Sequence, residues 1–443
     1  MEDAMPAELP VVVIGAGPQG LAAAAHLVER GQSVVVLEAG ATAASAVSEW
    51  GHVRLFSEWG ELVDQAAARL LEPSGWTAPT AGYPTGAQWI SAYLAPLSAV
   101  LGDRIRYGSR VVGVSRRGRD RLVDAGRDEQ PFTVHVDAGG DEYRLDARAV
   151  IDASGTWSTP NPAGADGLPA MGEKSAVDVL DYRIPDYRES KKYAGMHSVV
   201  VGSGHSAVTA VIALARIARR EPDTKITWVL RRGSVGNTFG GGDADELPAR
   251  GRLGSTAKEF VEAGLIDLVT GFRIERVSQD GDRVVLTSED GRSLPAADHV
   301  AILTGFRPDL SFLSELRLGL DPTLEAPTRI AAEVDPNIHS CGSVAATGAR
   351  DLAHPEKNFY LVGAKSYGRA PTFLAMTGYE QVRSVIAELS GDYEAAARVE
   401  LVLPDTGVCG GAGLFDSTGA SLGGACCAPP KQLIQLGRTA TTV

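Results

Sequence analysis

The sequence carries one short pattern twice: an apolar strand, then a glycine-rich turn, then a helix. The first copy runs from the apolar residues 11–14 through a turn that begins at Gly15 into a helix expected over 18–30. The second runs from residues 198–201 through a turn that begins at Gly202 into another Ala-rich helix. Short β-branched runs of this kind are typical of buried parallel strands. We therefore expect an α/β protein with two Rossmann-like dinucleotide-binding domains.

Composition excludes several other classes of protein. The chain has 443 residues, 44% of them hydrophobic and 22% charged, which is enough apolar material for a core and argues against disorder. Its net charge of −13 disfavours a general nucleic-acid binder or a protein held on an anionic membrane. No uninterrupted apolar run is long enough to span a bilayer, and the acidic start is unlike a signal peptide. With only four cysteines, we expect a cytoplasmic protein.

The first glycine-rich turn has the context that a dinucleotide needs. Gly15 makes the tight turn, Gly17 lets the backbone approach a diphosphate, and Gly20 allows close packing of the helix on the strand. Glu38 ends the next strand, where its carboxylate would accept hydrogen bonds from ribose hydroxyls and repel a 2′-phosphate. This site is expected to hold FAD or NAD rather than NADP. Its candidate contacts are Gly15, Gly17, Pro18, Gln19, Gly20 and Glu38.

The second turn differs at the end of the strand that follows it. That strand, residues 225–230, ends in Arg231 and Arg232 rather than in an acid. Two guanidinium groups at this place favour the 2′-phosphate of NADPH over NADH. The alternative is a solvated basic strand end. The candidate contacts of this second site are Gly202, Ser203, Gly204, His205, Ser206, Arg231 and Arg232.

Two further stretches predict β structure outside the parallel sheets. Residues 131–136 and 142–145 flank a polar turn and indicate a hairpin. A similar pattern places a strand at 283–287, a turn at 289–291 and a strand at 298–304.

Five segments resemble those of flavoproteins with two dinucleotide-binding domains, and among these the flavin-containing, class B flavoprotein monooxygenases. They are Tyr83-Pro84-Thr85-Gly86, 151–157, 302–309, 358–363 and 367–373. The resemblance covers about residues 10–390 and implies an NADPH domain inserted into a split FAD domain. The expected units are the first part of the FAD domain at 1–165, the NADPH domain at 190–298, the second part of the FAD domain at 299–395 and a tail at 404–443.

The resemblance also implies a reaction. NADPH would reduce the flavin, and the reduced flavin would form a peroxyflavin with oxygen and pass one oxygen atom to a soft nucleophile: sulfur, nitrogen or an organoarsenical. The expected partners are therefore a small-molecule substrate and oxygen. The sequence does not indicate an oligomeric state. Further FAD contacts implied are Trp59, Val112, Gly155, Gly363 and Thr372, and the candidate catalytic residues are Arg54 and Tyr367.

Several departures keep other functions open. The FxGxxxH fingerprint of these monooxygenases is absent, since residues 169–181 hold Gly172 but neither Phe nor His. Residues 51–65 contain no Asn to stabilise an oxygen adduct; the aromatic side chains of this stretch either line the flavin or pack in the core. The chain also has no CxxC pair, which disfavours a thioredoxin-reductase type of mechanism. An NADPH oxidase or a reductase with another electron acceptor is the alternative.

The last three cysteines form a separate candidate site. Cys409, Cys426 and Cys427 lie in the Gly-rich tail, whereas Cys341 stands alone. Thiolates bind soft ions, and trivalent arsenic is similarly thiophilic. The tail resembles those of flavoproteins associated with arsenic resistance, which suggests metalloid binding; exposed thiols without a ligand are the alternative.

Overall fold

The computed structural model describes most of the chain. The described residues are 9–235, 238–240, 242, 247–337, 346–370 and 373–401. The predicted tail, Cys341 and Thr372 lie outside them.

The strands of the described residues are short and mostly apolar. In chain order they are β1 (Val11–Ile14), β2 (Val34–Leu37), β3 (Ile105–Arg106), β4 (Arg110–Arg116), β5 (Phe132–Ala138), β6 (Asp141–Ala147), β7 (Ala149–Asp152), β8 (Leu180–Asp181), β9 (His197–Val201), β10 (Lys225–Val229), β11 (Asp267–Val269), β12 (Ile274–Asp280), β13 (Arg283–Ser288), β14 (His299–Ile302) and β15 (Phe359–Leu361).

The helices include four long ones that flank the sheets. In chain order the helices are α1 (Pro18–Glu29), α2 (Ser45–Glu49), α3 (Trp59–Leu62), α4 (Gln65–Leu71), α5 (Gly86–Trp89), α6 (Ala95–Leu101), α7 (His205–Ala218), α8 (Pro248–Glu262), α9 (Thr328–Val334), α10 (Ala375–Leu389) and α11 (Tyr393–Ala397). None of the helices in the described residues is both long and apolar enough to cross a membrane.

The first parallel sheet has the strand order β15-β7-β1-β2-β3. Val12 of β1 lies between Val35 of β2 and Val150 of β7, in register with both. Every residue of β1 is buried because helices cover one face of the sheet and a β layer the other, which explains the uninterrupted β-branched run. Helices α1 and α10 pack on the helical face.

The second parallel sheet repeats this arrangement with the order β11-β10-β9-β14-β8. Helices α7 and α8 cover one face, where Ile212 and Phe260 join Trp228 in one apolar cluster. All five of its strands come from residues between two strands of the first sheet, β7 and β15. The predicted fold class, with one Rossmann-like domain inserted into another, is therefore confirmed. The domain boundaries stay predictions.

Two antiparallel units accompany the parallel sheets. Strands β4, β5 and β6 form a three-stranded sheet behind the first parallel sheet, and the hairpin predicted over 131–145 is confirmed. The strand predicted at 283–287 and the turn at 289–291 are present. However, β13 pairs with β12, while β14 joins the second parallel sheet, where its last three residues are buried.

A buried ion cluster ties β4 to the segment before β15. Arg116 Nε donates to one carboxylate oxygen of Glu356 (2.7 Å) and Arg127 Nη2 to the other (2.8 Å). All three residues are at most 3% exposed. Burial raises the pKa of Glu356, but the hydrogen bonds from Arg116 and Arg127 outweigh it and hold this pKa below its usual value.

We expect Glu356→Gln to lower the free energy of unfolding by about 3–5 kcal/mol, because two buried guanidinium groups lose their counter-charge. The pKa of Glu356 is lowered in the folded protein. The difference in unfolding free energy between wild type and variant should therefore be largest at pH 7 and become smaller as acid protonates the wild-type carboxylate. Urea unfolding at pH 7 and pH 4 measures it. Glu289→Gln is the control, since Glu289 and its partner Arg273 are 44% and 43% exposed and should lose under about 1 kcal/mol. Equal losses in the two variants would contradict the prediction.

Candidate functional site

The first glycine-rich turn joins β1 to α1 and is shaped by backbone contact. Gly15 has φ +95°, and a Cβ there would lie 3.0 Å from Ala153 O. A Cβ on Gly20 would lie 1.9 Å from Gly15 O, so the helix sits directly on the turn. Above Gly17 the space is open, with no atom within 4 Å of an added Cβ. Pro18 begins α1 and no side chain caps it, which leaves the N–H groups of the helix N-terminus for an anion.

Glu38 lies beside this turn and is bonded to its backbone. Its carboxylate accepts hydrogen bonds from the backbone N–H groups of Ala16 and Gly40, both at 2.7 Å, and from the hydroxyl of Ser45 at 2.9 Å. These bonds hold the carboxylate beside the open space over Gly17. A carboxylate has about four acceptor positions, so capacity remains for a ribose hydroxyl.

The second turn joins β9 to α7 in the same way. Gly202 has φ +126°, and a Cβ there would lie 2.2 Å from Leu303 O, whereas the space at Gly204 is open. Helix α7 begins at His205 and also lacks a side-chain cap. Ser203 accepts a hydrogen bond from Arg232 Nη2 at 3.1 Å. The turn therefore offers a second helix N-terminus to an anion, with a guanidinium beside it.

Arg231 and Arg232 both lie at this second turn but have different partners. Arg231 Nη1 donates to Ala165 O at 2.8 Å, on the segment that enters the second domain. Burial lowers the pKa of both guanidinium groups, with the charge of Arg273 adding to the effect at Arg231 and that of Arg231 at Arg232. Arginine nevertheless stays charged in proteins. Two neighbouring positive charges therefore meet any ligand at this end of the cavity.

A cavity of about 840 Å³ extends from the second turn to the segment after β15. Among the described residues its wall carries six arginines and one acid, Asp166. The arginines are Arg183, Arg231, Arg232, Arg250, Arg307 and Arg369. A wall of this charge suits a polyanionic ligand such as a dinucleotide.

Residues 49–56 of the first domain form one side of the contact between the domains. Trp50 and Val53 pack against the apolar cluster of the second domain, and His52 Nε2 lies 3.1 Å from Pro185 O. The ring of Phe56 lies 4.9 Å from that of His205, at the start of α7. The aromatic stretch noted in the sequence thus reaches the second glycine-rich turn.

The two candidate catalytic residues lie outside the cavity wall. Arg54 is exposed and donates to the backbone oxygen of Tyr83. Tyr367 is 2% exposed in the core of the first domain, where burial raises the pKa of its phenol above the usual value. Their catalytic roles stay predictions.

The other predicted FAD contacts are spread over the first domain. Trp59 is buried in its core, Val112 is 45% exposed on β4, and Gly155 has φ +69° with open space beside it. Gly363 follows β15, and a Cβ there would lie 2.9 Å from Gln19 Cγ. Of these predicted contacts, the structure places Gly363 beside the first glycine-rich turn. Thr372 lies outside the described residues.

A buried ion pair near these turns was not predicted. Lys365 Nζ donates to Asp152 Oδ2 at 2.7 Å and to Ser154 Oγ at 3.1 Å, with Lys365 and Asp152 at most 1% exposed. It connects the end of β7 to the segment after β15. The sequence signal was an acid at the end of an apolar strand, but nothing in the sequence identified its partner.

Comparison with known proteins agrees with this architecture. A family model described as pyridine nucleotide-disulphide oxidoreductase matches residues 12–328. Indole-3-pyruvate monooxygenase YUCCA1 of Oryza sativa subsp. japonica is 31% identical over 206 residues, which are 46% of this chain and 45% of that protein. The chain thus spans about half the length of this curated relative.

Two solved structures share the fold over most of the chain. Bacillithiol disulfide reductase Bdr (YpdA) from Bacillus cereus superposes with a TM-score of 0.64 at 20% identity, covering 87% of this chain and 99% of that one. The flavin-containing monooxygenase from Stenotrophomonas maltophilia gives 0.55 at 22% identity, covering 87% and 98%. At these identities the likeness concerns the fold alone. The family match spans well over half of the chain, so the chain belongs to the pyridine nucleotide-disulphide oxidoreductase family.

Proposed function

We propose that the chain is an FAD- and NADPH-dependent monooxygenase that transfers one oxygen atom to a soft nucleophile: sulfur, nitrogen or a trivalent organoarsenical. The observation that carries the proposal is the arginine-lined cavity, which runs from the second glycine-rich turn to the segment after β15. A ligand bound at that turn therefore has a continuous path to the first domain.

The first turn fits the diphosphate of FAD. Open space over Gly17 and the uncapped start of α1 leave room and N–H donors for phosphate oxygens. Glu38, fixed by three hydrogen bonds, is positioned for a ribose. The second turn fits NADPH, with α7 for its diphosphate and Arg231 and Arg232 for its 2′-phosphate.

When bound, NADPH supplies a hydride and FAD carries the electrons to oxygen. Overall, NADPH, one proton and O₂ are consumed, and one oxygen atom enters the substrate while the other leaves as water. The residues of this chain would bind and orient the two dinucleotides, FAD at the first glycine-rich turn and NADPH at the second turn, where the cavity begins. The Trp157 and Phe306 rings, stacked 4.7 Å apart, are part of the cavity wall.

Two observations support oxygen transfer over reduction of a disulfide. The full sequence has no CxxC pair to carry electrons to a disulfide. In addition, the relative that is 31% identical over about half of the chain is named a monooxygenase. The second candidate function is an NADPH-dependent reductase or oxidase, which the family description and the missing FxGxxxH fingerprint favour.

We expect Arg232→Gln to raise the KM for NADPH about tenfold to a hundredfold, because a charged hydrogen bond is worth about 1.5–3 kcal/mol. The KM for NADH, which lacks the 2′-phosphate, should change less than about threefold on the same argument. Steady-state rates with both nucleotides measure this. Arg283→Gln, an exposed arginine on β13, is the control. Equal rises for NADPH and NADH would show that Arg232 does not select the phosphate.

Oxygen transfer is tested by the balance of NADPH, oxygen and hydrogen peroxide. We expect a true substrate to lower the peroxide released per NADPH from near one toward zero, with one oxygenated product per NADPH. Thiols, amines and trivalent organoarsenicals are the compounds to screen. If peroxide stays stoichiometric with all of them while another electron acceptor accelerates NADPH oxidation, the reductase is the correct function.

The cysteine tail gives the arsenic proposal its own test. Cys409, Cys426 and Cys427 lie outside the described residues, and the described residues hold no cluster of metal ligands. If the tail binds metalloid, removing residues 405–443 should abolish tight arsenite binding, measured by equilibrium dialysis of the full chain and the truncated one. A triple Cys→Ser variant controls for loss of the tail as a whole. Equal arsenite binding by all three proteins would refute the tail hypothesis.

A further inference from the structure

Gln19 occupies the place where two helix N-termini meet. It is the second residue of α1, and its side chain reaches the start of α10, where its Nε2 donates to Ala375 O at 3.0 Å. Gln19 is only 8% exposed. Helices α1 and α10 have 12 and 15 residues, so each presents a full set of N-terminal N–H groups and the positive end of a dipole.

The other amide atom of Gln19 lacks a partner. Its Oε1 is buried, and no donor among the described residues lies within hydrogen-bond distance. A buried carbonyl oxygen without a hydrogen bond costs free energy, and native structures contain few of them. An unmet acceptor at this place therefore indicates that a donor comes from a ligand.

Packing holds the amide in this position. A Cβ on Gly378 would lie 2.5 Å from Gln19 Cδ and 2.6 Å from its Oε1, so only glycine leaves room there. A Cβ on Gly363 would likewise lie 2.9 Å from Gln19 Cγ. The side chain thus packs closely against two glycines, and its Nε2 bond to Ala375 O fixes the orientation of the amide.

We propose that Gln19 Oε1 accepts a hydrogen bond from a hydroxyl group of the ribityl chain of FAD. This inference rests on the proposed use of FAD. An amide oxygen needs a donor, which excludes the phosphates, whose oxygens are acceptors. The diphosphate belongs over Gly17 at the start of α1, and the group bonded to it on the flavin side is the ribityl chain with its hydroxyls. Gln19 therefore distinguishes the ribityl part of FAD from its ADP part.

The chain offers a matched control in Gln381, a second buried glutamine in the same region. Its Oε1 accepts from the backbone N–H of Gly363 at 2.9 Å, and its Nε2 donates to Thr347 Oγ1 at 3.0 Å. Both amide atoms of Gln381 are satisfied by the protein itself, so this residue serves the fold in the absence of ligand.

The test compares wild-type protein, Gln19→Met and Gln381→Met as full-length apoproteins. Methionine has a similar length and flexibility but lacks the amide. Three quantities are measured: the Kd for FAD from quenching of flavin fluorescence, the Kd for ADP by competition, and the Tm without ligand. We expect Gln19→Met to raise the Kd for FAD at least tenfold and to leave the Kd for ADP within twofold. Its Tm should fall less than that of Gln381→Met, because Gln19 makes one protein hydrogen bond through its amide, to Ala375 O, whereas both amide atoms of Gln381 are bonded. Gln381→Met should lower the Tm.

Several results would overturn the assignment. A Kd for FAD within twofold of wild type would mean that Gln19 makes no bond to the cofactor. An equal rise in the Kd for ADP would mean that Gln19 contacts the ADP part of FAD and not the ribityl chain. A fall in Tm as large as that of Gln381→Met would mean that Gln19 has a structural role. Wild-type apoprotein that does not bind FAD would overturn the proposed function, and the Gln19 assignment with it. Tight wild-type binding that is unchanged in Gln19→Met would overturn the Gln19 assignment alone.

Discussion

Close backbone contact between each glycine-rich turn and a neighbouring chain segment fixes the rest of the structure. Gly15 lies against the segment that leaves β7, and Gly202 lies against the one that leaves β14. These contacts extend the strand pairing, since Ala153 N donates to Ile14 O and Leu303 N to Val201 O. The same two segments carry the chain into the second domain and back. Each proposed dinucleotide turn is therefore built against a connection between the domains, and a Cβ on either glycine would disturb both.

This arrangement explains why the cavity lies where it does. The two connecting segments pair with each other, with Asn161 N donating to Gly305 O and Arg307 N to Thr159 O. Arg307 also donates to Asn161 Oδ1 at 2.8 Å, so one arginine both joins the segments and adds positive charge to the cavity wall. Because both turns contact this paired ribbon, it links the two proposed dinucleotide sites, and the cavity lies along it from the second turn. Phe56, packed on His205, adds a contact from the first domain.

The features that the sequence predicted are those encoded locally. A β-branched run, a glycine at a fixed spacing and a helix follow one another within about 20 residues, so both turns and the fold class could be read directly. Contacts between distant parts of the chain could not. The partners of Glu38, the reach of residues 49–56 into the second domain and the pairing of Lys365 with Asp152 depend on the final packing. Likewise, nothing in the sequence separates Gln19, with an unmet oxygen, from the satisfied Gln381.

For the binding of a polyanionic ligand, the positions of the charged residues matter more than the net charge of the chain. The chain carries a net charge of −13, yet the described wall of its cavity has six arginines and one acid. At physiological salt, exposed charges are screened beyond about 8 Å, whereas charges in a cleft with low-dielectric walls are screened much less. A polyanionic dinucleotide inside the cavity therefore experiences chiefly the arginines around it. A net negative charge that disfavours nucleic acid is thus compatible with a binding site for phosphates, because positive charge is concentrated in the cavity wall, beside the N-terminus of α7 and the connecting ribbon.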